Sequence, residues 1–314
     1  MIILRTVKNI SSLNIAASVL LFLAAILAAV VANSSLSPVY QDFLLQELHL
    51  RIGNFNLFSH GGHPLKMIEF INDCLMTVFF LAVGLEIKRE LLVGELSSVR
   101  KAALPFIAAC GGMVVPVVIY ALSVASGTPE TRGMAIPMAT DIAFSLGVLS
   151  LLGKRVPLSL KIFLTAFAVV DDIGGILVIA LFYSADVAYG YLIAAAVLYV
   201  FLYYMGKFGV TQKIFFLFFG VIIWYLFLQS GIHSTISGVI LAFVIPARPR
   251  LDAGKYIERI RDIIGEFPVS KSDNIVLTNA QIATLKQVER ASDYVISPLQ
   301  SLEDNLHGAV SFVI

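Results

Sequence analysis

Long apolar runs recur along the whole chain, and they limit its fold more than any other feature. Each run is long enough to cross the roughly 30 Å hydrocarbon layer of a bilayer as a helix, and the period-2 alternation of a membrane barrel strand is missing. The eight runs are residues 13–32, 70–87, 102–125, 133–152, 157–183, 187–205, 212–229 and 231–246. Only 14% of the residues are charged, against about one quarter in a soluble domain. The sequence therefore predicts an all-α polytopic membrane protein and excludes a soluble enzyme.

Basic residues mark every second connection between these runs and predict the orientation of the chain. The basic residues on the side of the amino terminus are Arg5, Lys8, Lys88, Arg89, Arg100, Lys101, Lys154, Arg155, Lys207, Lys213, Arg248 and Arg250. The other connections hold only Arg51, Lys66 and Arg132. Because cytoplasmic loops are enriched in Lys and Arg, we expect the amino terminus in the cytoplasm. The first run exceeds the roughly 7–15 apolar residues of a signal peptide, so we expect it to be a retained span.

Polarity rises after Pro246 and divides the chain into three parts. Residues 1–246 are the predicted membrane domain with eight transmembrane helices. Residues 247–304 are rich in charges of both signs and predict a polar cytoplasmic loop, in which residues 279–295 have the pattern of an amphipathic helix. Residues 305–314 turn apolar again and predict the start of a truncated ninth helix, about half the length that a crossing requires.

Charge and cysteine content exclude further classes of partner. The formal net charge is +1, so there is no overall field that would attract nucleic acid. Cys74 and Cys110 both lie inside apolar runs, which argues against a disulfide framework or a thiolate metal site. The partner that the composition predicts is the lipid bilayer.

Three aspartates in the middle of apolar runs are the main candidates for function. Asp141 lies near the centre of the fourth run, and Asp171 and Asp172 lie near the centre of the fifth. An ionised carboxylate at this depth costs a few kcal/mol, and such residues usually mark ion or proton paths. Since the three carboxylates fall at about the same level, we expect them to share one site between neighbouring helices.

The residues around these aspartates favour a small alkali cation as ligand. Adjacent residues on a helix point about 100° apart, so Asp171 and Asp172 are expected to have different roles. The Thr140 hydroxyl adds an oxygen ligand, which hard cations prefer. Pro137 lies four residues before Asp141 and kinks or breaks a helix, which would free main-chain carbonyls for a discontinuous-helix binding site.

A second interpretation of paired intramembrane aspartates is an aspartyl protease, in which two carboxylates share a proton and activate water. Such a protease is expected to carry a Gly-x-Gly-Asp run at its second aspartate. Here the residues before Asp171 are Val169 and Val170, which argues against a protease.

Several motifs resemble the NhaA-type sodium/proton antiporters of bacteria. The motifs are INDCLMTVFFLAVGLEIKRELL, ATDIAFSLGVLSLLG, VPLSLKIFLTAFAVVDDIGG and SGIHSTISGVILAF. The resemblance runs from residue 72 to residue 246 and resumes faintly at SLEDNLHGAV, with residues 247–297 outside it. It implies an inverted-repeat transporter fold with broken helices at the membrane midplane, of which this chain would contain eight complete transmembrane helices and a partial ninth.

The resemblance also implies an activity. A member of this family is a secondary antiporter of the bacterial inner membrane, not an enzyme, and exports Na⁺ or Li⁺ in exchange for H⁺ without a cofactor, which regulates cytoplasmic pH and sodium. Its relatives form homodimers through a hairpin that would correspond to residues 55–63. Because family members continue through about a dozen helices, a third expectation is an inactive, truncated fragment of the antiporter.

The resemblance assigns roles to individual residues. Asp171 and Asp172 would bind Na⁺ and protons, with Asp172 the stronger candidate for sodium, and Thr140 and Asp141 would line the crossing of the broken helices. Asp73 matches an acidic residue of the family, and Asp304 stands where the family has a histidine. The positions that match family residues linked to pH regulation are Glu86, Arg89, Glu90, His233, Glu303 and His307.

Overall fold

A computed structural model shows a chain built mainly of helices. It describes residues 2–52, 55–60, 63–124, 128–138, 145, 148–149, 152, 155–182, 187–249, 253–267, 276 and 278–313. The helices in these ranges are α1 (Ile2–Ala32), α2 (Ser37–Leu45), α3 (Met67–Val93), α4 (Val99–Ser123), α5 (Leu158–Phe182), α6 (Tyr189–Lys207), α7 (Lys213–Ser230), α8 (Thr235–Val244), α9 (Ala253–Gly265), α10 (Asn279–Val295) and α11 (Pro298–Val313). Short 3₁₀ helices cover Glu95–Ser97 and Pro129–Met138.

Four of the described helices, α3, α4, α6 and α7, are long and apolar enough to cross a membrane. Residues Val19–Ala32 of α1 and the whole of α2 also pass this test together, although they meet at 109°. Large apolar side chains point outward from these helices; Leu104 is 67% exposed and Ile214 is 81% exposed. Side chains of this kind are stable in contact with lipid, so the chain is a helical membrane protein.

Two antiparallel hairpins lie between α2 and α3. β1 (Arg51–Ile52) pairs with β2 (Phe55–Asn56), and β3 (Ser59–His60) pairs with β4 (His63–Pro64). The Gln229 side chain of α7 donates a hydrogen bond to the Ser59 carbonyl at 2.6 Å. This contact fixes the second hairpin to the end of α7.

The fourth apolar run differs from the sequence prediction. An α-helical span was expected from residue 133, but this expectation was wrong, because Pro129–Met138 form a 3₁₀ helix. In an α-helix the amide of residue 137 would donate to the Gly133 carbonyl, and Pro137 has no amide hydrogen. Residues 139–144, 146–147 and 150–151 lie outside the described part of the chain.

The eighth run is also shorter as a helix than the sequence predicts. Gly231 ends α7 with a positive φ of 81°, a conformation that glycine adopts without strain. The next helix, α8, begins only at Thr235 and has 10 residues. At 1.5 Å per residue it spans about half of the hydrocarbon layer, so this run is not a complete crossing by itself.

The polar segment after α8 contains more helix than was expected from its charge. A helix over residues 279–295 is present as α10, and its first turn is closed by a capping box between Thr278 and Gln281. The segment Ala253–Gly265 was expected in a loop but forms α9. The two helices pack against each other, with the Tyr256 and Ser292 hydroxyls 2.9 Å apart. The last helix begins at Pro298 rather than at residue 305.

Close packing of α3 against α8 forms the centre of the described core. A Cβ atom added at Gly238 of α8 would lie 2.4 Å from the Thr77 carbonyl oxygen and 3.1 Å from the Leu81 amide nitrogen of α3. A Cβ atom at Gly84 would lie 2.8 Å from the Ala242 side chain. The two glycines therefore allow the two backbones to approach more closely than any side chain would permit.

This packing predicts that Gly238→Ala destabilises the protein. The new methyl group would meet main-chain atoms, which cannot move aside as a side chain can, and we expect a loss of about 1–3 kcal/mol. The measurement is the apparent melting temperature of the purified protein in detergent. Gly111→Ala in α4 is the matched control, because a Cβ atom there meets nothing within 4 Å. Equal melting temperatures for the two variants would contradict the close contact.

Candidate cation site and its supporting charges

The aspartate pair lies in the middle of α5, a 25-residue apolar helix. The residues that lead into the pair form the most buried stretch of this helix: Ala168 and Val169 are each 1% exposed, and Asp171 itself is 4% exposed. Val169 and Val170 pack with Val83 and Ile87 of α3 and with Ala109 of α4. The apolar side chains of three helices thus hold Asp171 in the protein interior.

The two aspartates have different surroundings. Asp171 is buried, whereas Asp172 is partly exposed and takes part in a polar interaction of its own. This difference follows from the 100° between adjacent helical residues. It agrees with the expectation that the two carboxylates have different roles, and the assignment of a role to each remains a prediction.

Thr140 and Asp141, the other half of the predicted site, lie outside the described residues. Pro137 lies within the 3₁₀ helix, which packs against α4 through a hydrogen bond from the Tyr120 hydroxyl to the Glu130 carbonyl at 2.9 Å. Pro137 thus lies in a 3₁₀ helix, while a discontinuous helix at Asp141 and the meeting of Asp141 with Asp171 and Asp172 remain predictions.

A π-helical turn over Ile71–Leu75 positions Asp73 in α3. The Asp73 carbonyl accepts hydrogen bonds from the Thr77 hydroxyl at 2.6 Å, the Trp224 indole at 2.6 Å and the Ser234 hydroxyl at 2.7 Å. The Ser234 hydroxyl also lies 2.9 Å from the Asp73 carboxylate. A π turn shifts the regular main-chain pairing of a helix, and here donors from α7 and from the residue before α8 satisfy the carbonyl. Asp73 thus connects three helices.

Asp73 and His233 line one cavity of about 560 Å³ at this end of α3. The charged or titratable residues that line it are Glu47, His63, Lys66, Glu69, Asp73 and His233. Within it, the Glu69 carboxylate accepts a hydrogen bond from the Lys66 amide at 2.9 Å. The polar lining of the cavity reaches the π turn at Asp73. The cavity thus brings together Asp73 and His233, two of the residues that the sequence resemblance selected.

Four more of the predicted residues meet at the opposite end of α3. The Arg89 Nε donates to the Glu303 carboxylate of α11 at 2.8 Å, and an Arg89 terminal nitrogen lies 3.2 Å from the Glu90 carboxylate. Glu86 lies within electrostatic range of all three groups. One guanidinium is therefore surrounded by three carboxylates. His307 lies one turn after Glu303 on α11, with its side chain exposed.

Sequence reasoning missed several residues that hold these groups. Trp224 and Ser234 donate to the Asp73 carbonyl, and Lys88 donates to main-chain carbonyls of α8. Trp224 is the only tryptophan of the chain, and this rarity is a weak indication of a special role. The partner of each residue is more than 150 positions away in the sequence, so spacing alone gave no signal.

Comparison with known proteins decides the family. The sequence matches the family Na⁺/H⁺ antiporter 1 over residues 8–314. The chain belongs to this family. It is 76% identical to the Na⁺/H⁺ antiporter NhaA of Bacteroides thetaiotaomicron over 314 residues, which are the whole of this chain and 72% of that protein.

Two further relatives support membership of the Na⁺/H⁺ antiporter 1 family. The antiporter NhaA of Phocaeicola vulgatus is 61% identical over 289 residues, which are 92% of this chain and 65% of that protein. The antiporter NhaA of Parabacteroides distasonis is 50% identical over 317 residues, which cover the whole of this chain and 70% of that protein. The polar loop of residues 247–297 was expected to lie outside the resemblance. That expectation was wrong, because the match to Bacteroides thetaiotaomicron includes it.

The contact between Arg89 and Glu303 predicts that the two residues are coupled in stability. We expect Arg89→Gln and Glu303→Gln to be non-additive by about 1 kcal/mol, because each substitution removes the same partly exposed ion pair. The measurement is a double-mutant cycle on thermal unfolding in detergent. The control cycle combines Arg89→Gln with Asp304→Asn, since Asp304 is the exposed neighbour of Glu303. Additivity in both cycles would contradict the pairing.

Proposed function

We propose that this protein exchanges Na⁺ or Li⁺ for H⁺ across the bacterial inner membrane and thereby regulates cytoplasmic sodium and pH. The observation that carries this proposal is the adjacent pair of carboxylates in the middle of an apolar helix, of which Asp171 is buried and Asp172 is partly exposed. The relatives with up to 76% identity over the whole chain are Na⁺/H⁺ antiporters, which supports the same activity here.

The exchange follows from competition for one set of oxygens. A carboxylate can hold a proton or ligate a sodium ion, and ionised oxygens are the ligands that hard cations prefer. If the site opens alternately to the two sides of the membrane, a proton entering from outside displaces the cation, and the proton gradient drives sodium out. Asp172, which is partly exposed, is the proposed sodium ligand, and Thr140 and Asp141 are proposed to complete the site.

The carboxylates around Arg89 are proposed to adjust this activity to pH. Glu86, Glu90 and Glu303 lie near a single guanidinium, so their charges exceed that of the cation when all three are ionised. Repulsion among like charges makes the proton occupancy of one group depend on the others. His233, which lines the cavity at the π turn, and His307, one turn after Glu303, are proposed to contribute.

Orientation and assembly complete the proposal. The amino terminus is proposed to lie in the cytoplasm, as the positive-inside rule predicts. A homodimer is proposed to form through residues 55–63, where the two-stranded hairpins have strand edges that can pair with a second copy. An aspartyl protease is the weaker alternative, because the relatives are transporters and Val169 and Val170 stand where a Gly-x-Gly-Asp run was expected.

The test is sodium-induced collapse of a pH gradient in everted membrane vesicles, with the protein expressed from its own gene. We expect wild-type protein to dissipate the gradient when Na⁺ is added and Asp172→Asn to abolish the response, because an amide cannot exchange a proton for a cation. Asp262→Asn in α9 is the control, since Asp262 is exposed in the polar segment, and it is expected to behave as wild type. Undiminished exchange in Asp172→Asn at equal expression would refute the mechanism.

A further inference from the structure

Main-chain carbonyls at the C-terminal end of α8 lack the amide donors that a continuing helix would normally provide. In an α-helix the carbonyl of residue i accepts from the amide of residue i+4, and the last four carbonyls of a helix need other partners. The residues four positions after Ala242 and Ile245 are Pro246 and Pro249, and proline has no amide hydrogen. Continuing the helix could therefore not satisfy either carbonyl.

Lys88 of α3 supplies the missing donors. Its ammonium nitrogen lies 2.7 Å from the Phe243 carbonyl and 3.3 Å from the Ala242 carbonyl, and it also donates to the Ile245 carbonyl. An ammonium group has three hydrogens, which matches three acceptors. The positive charge also complements the negative end of the α8 dipole. A side chain from one helix thus caps another helix.

This cap belongs to a closed ring of contacts around three helix ends. The next carbonyl after the capped turn, that of Pro246, accepts a hydrogen bond from the Leu299 amide of α11 at 3.2 Å. One turn later on α11, Glu303 accepts from Arg89 at 2.8 Å, and Arg89 is the neighbour of Lys88 on α3. The Lys213 ammonium of α7 donates to the Ser301 hydroxyl at 2.8 Å, which holds the same turn of α11 from its other side.

We propose that Lys88 is a positioning residue. By holding the C-terminal end of α8, it keeps the first turns of α11 in position, so that Glu303 lies opposite Arg89. Removing the ammonium leaves the α8 carbonyls without donors, loosens the Pro246–Leu299 contact and shifts the turn that carries Glu303. The charged groups facing this ring are Glu86, Arg89 and Glu90 of α3, Glu303 of α11 and Lys213 of α7. The consequence for transport rests on the proposed function, whereas the structural consequence does not.

Hydrogen–deuterium exchange of the purified protein tests the structural step. We expect Lys88→Met to raise exchange of the Leu299 amide, and of the first turn of α11, about 5- to 30-fold relative to wild type. Lys88→Arg keeps the charge and several donors and is expected to return exchange to near the wild-type rate. Lys207→Met is the control, because Lys207 is an exposed lysine in the last turn of α6. Wild-type exchange in Lys88→Met would overturn the proposal.

The pH profile of sodium/proton exchange in everted vesicles tests the functional step. The profile of Lys88→Met is expected to move in the same direction as that of Glu303→Gln, with Lys88→Arg close to wild type. A profile that stays at the wild-type position in Lys88→Met would overturn the link between Lys88 and Glu303. If wild-type protein shows no exchange, the proposed function fails, and the hydrogen-exchange result still decides whether Lys88 positions α11.

Discussion

Each main-chain polar group inside a membrane must find its partner within the protein, because the hydrocarbon offers neither donors nor acceptors. In this chain, hydrogen bonds at both ends of α3 satisfy main-chain carbonyls in this way. Near its start, the π turn presents the Asp73 carbonyl to donors from Trp224 and Ser234. Near its end, Lys88 donates to the Ala242 and Ile245 carbonyls, which Pro246 and Pro249 leave without amide donors. These hydrogen bonds tie α7 and α8 to α3, and Gly84 of α3 and Gly238 of α8 allow the close approach between those two helices.

The same constraint underlies the proposed chemistry of the aspartate pair. Burial among apolar side chains such as Val169 and Val170 disfavours a carboxylate that has no partner. In the proposed exchange, a proton and a cation occupy the same carboxylate oxygens in turn, and no cofactor takes part. The helix that carries the pair packs on α3, whose two ends carry Asp73 on one side and Glu86, Arg89 and Glu90 on the other.

The sequence predicts some parts of this structure well and misses others for identifiable reasons. Apolar runs located α4, α5, α6 and α7 to within about three residues at each end, because length and hydropathy are local properties. Asp171 was found as a charge in an apolar run, and Pro137 lies in a 3₁₀ helix. The π turn at Asp73 and the cap made by Lys88 depend on hydrogen bonds between residues more than 150 positions apart, which leave no local pattern. Helix α9 was missed because a segment with this many charges resembles a solvated loop.

The central claim is that sodium and protons compete for the Asp171 and Asp172 carboxylates. Isothermal titration calorimetry of Na⁺ binding to the purified protein, repeated in buffers of different ionisation enthalpy and at several pH values, measures that competition directly. The account predicts that Na⁺ binding releases protons and weakens as the pH falls, and that Asp172→Asn eliminates the heat. Sodium binding with the same affinity at every pH and no proton release would contradict it.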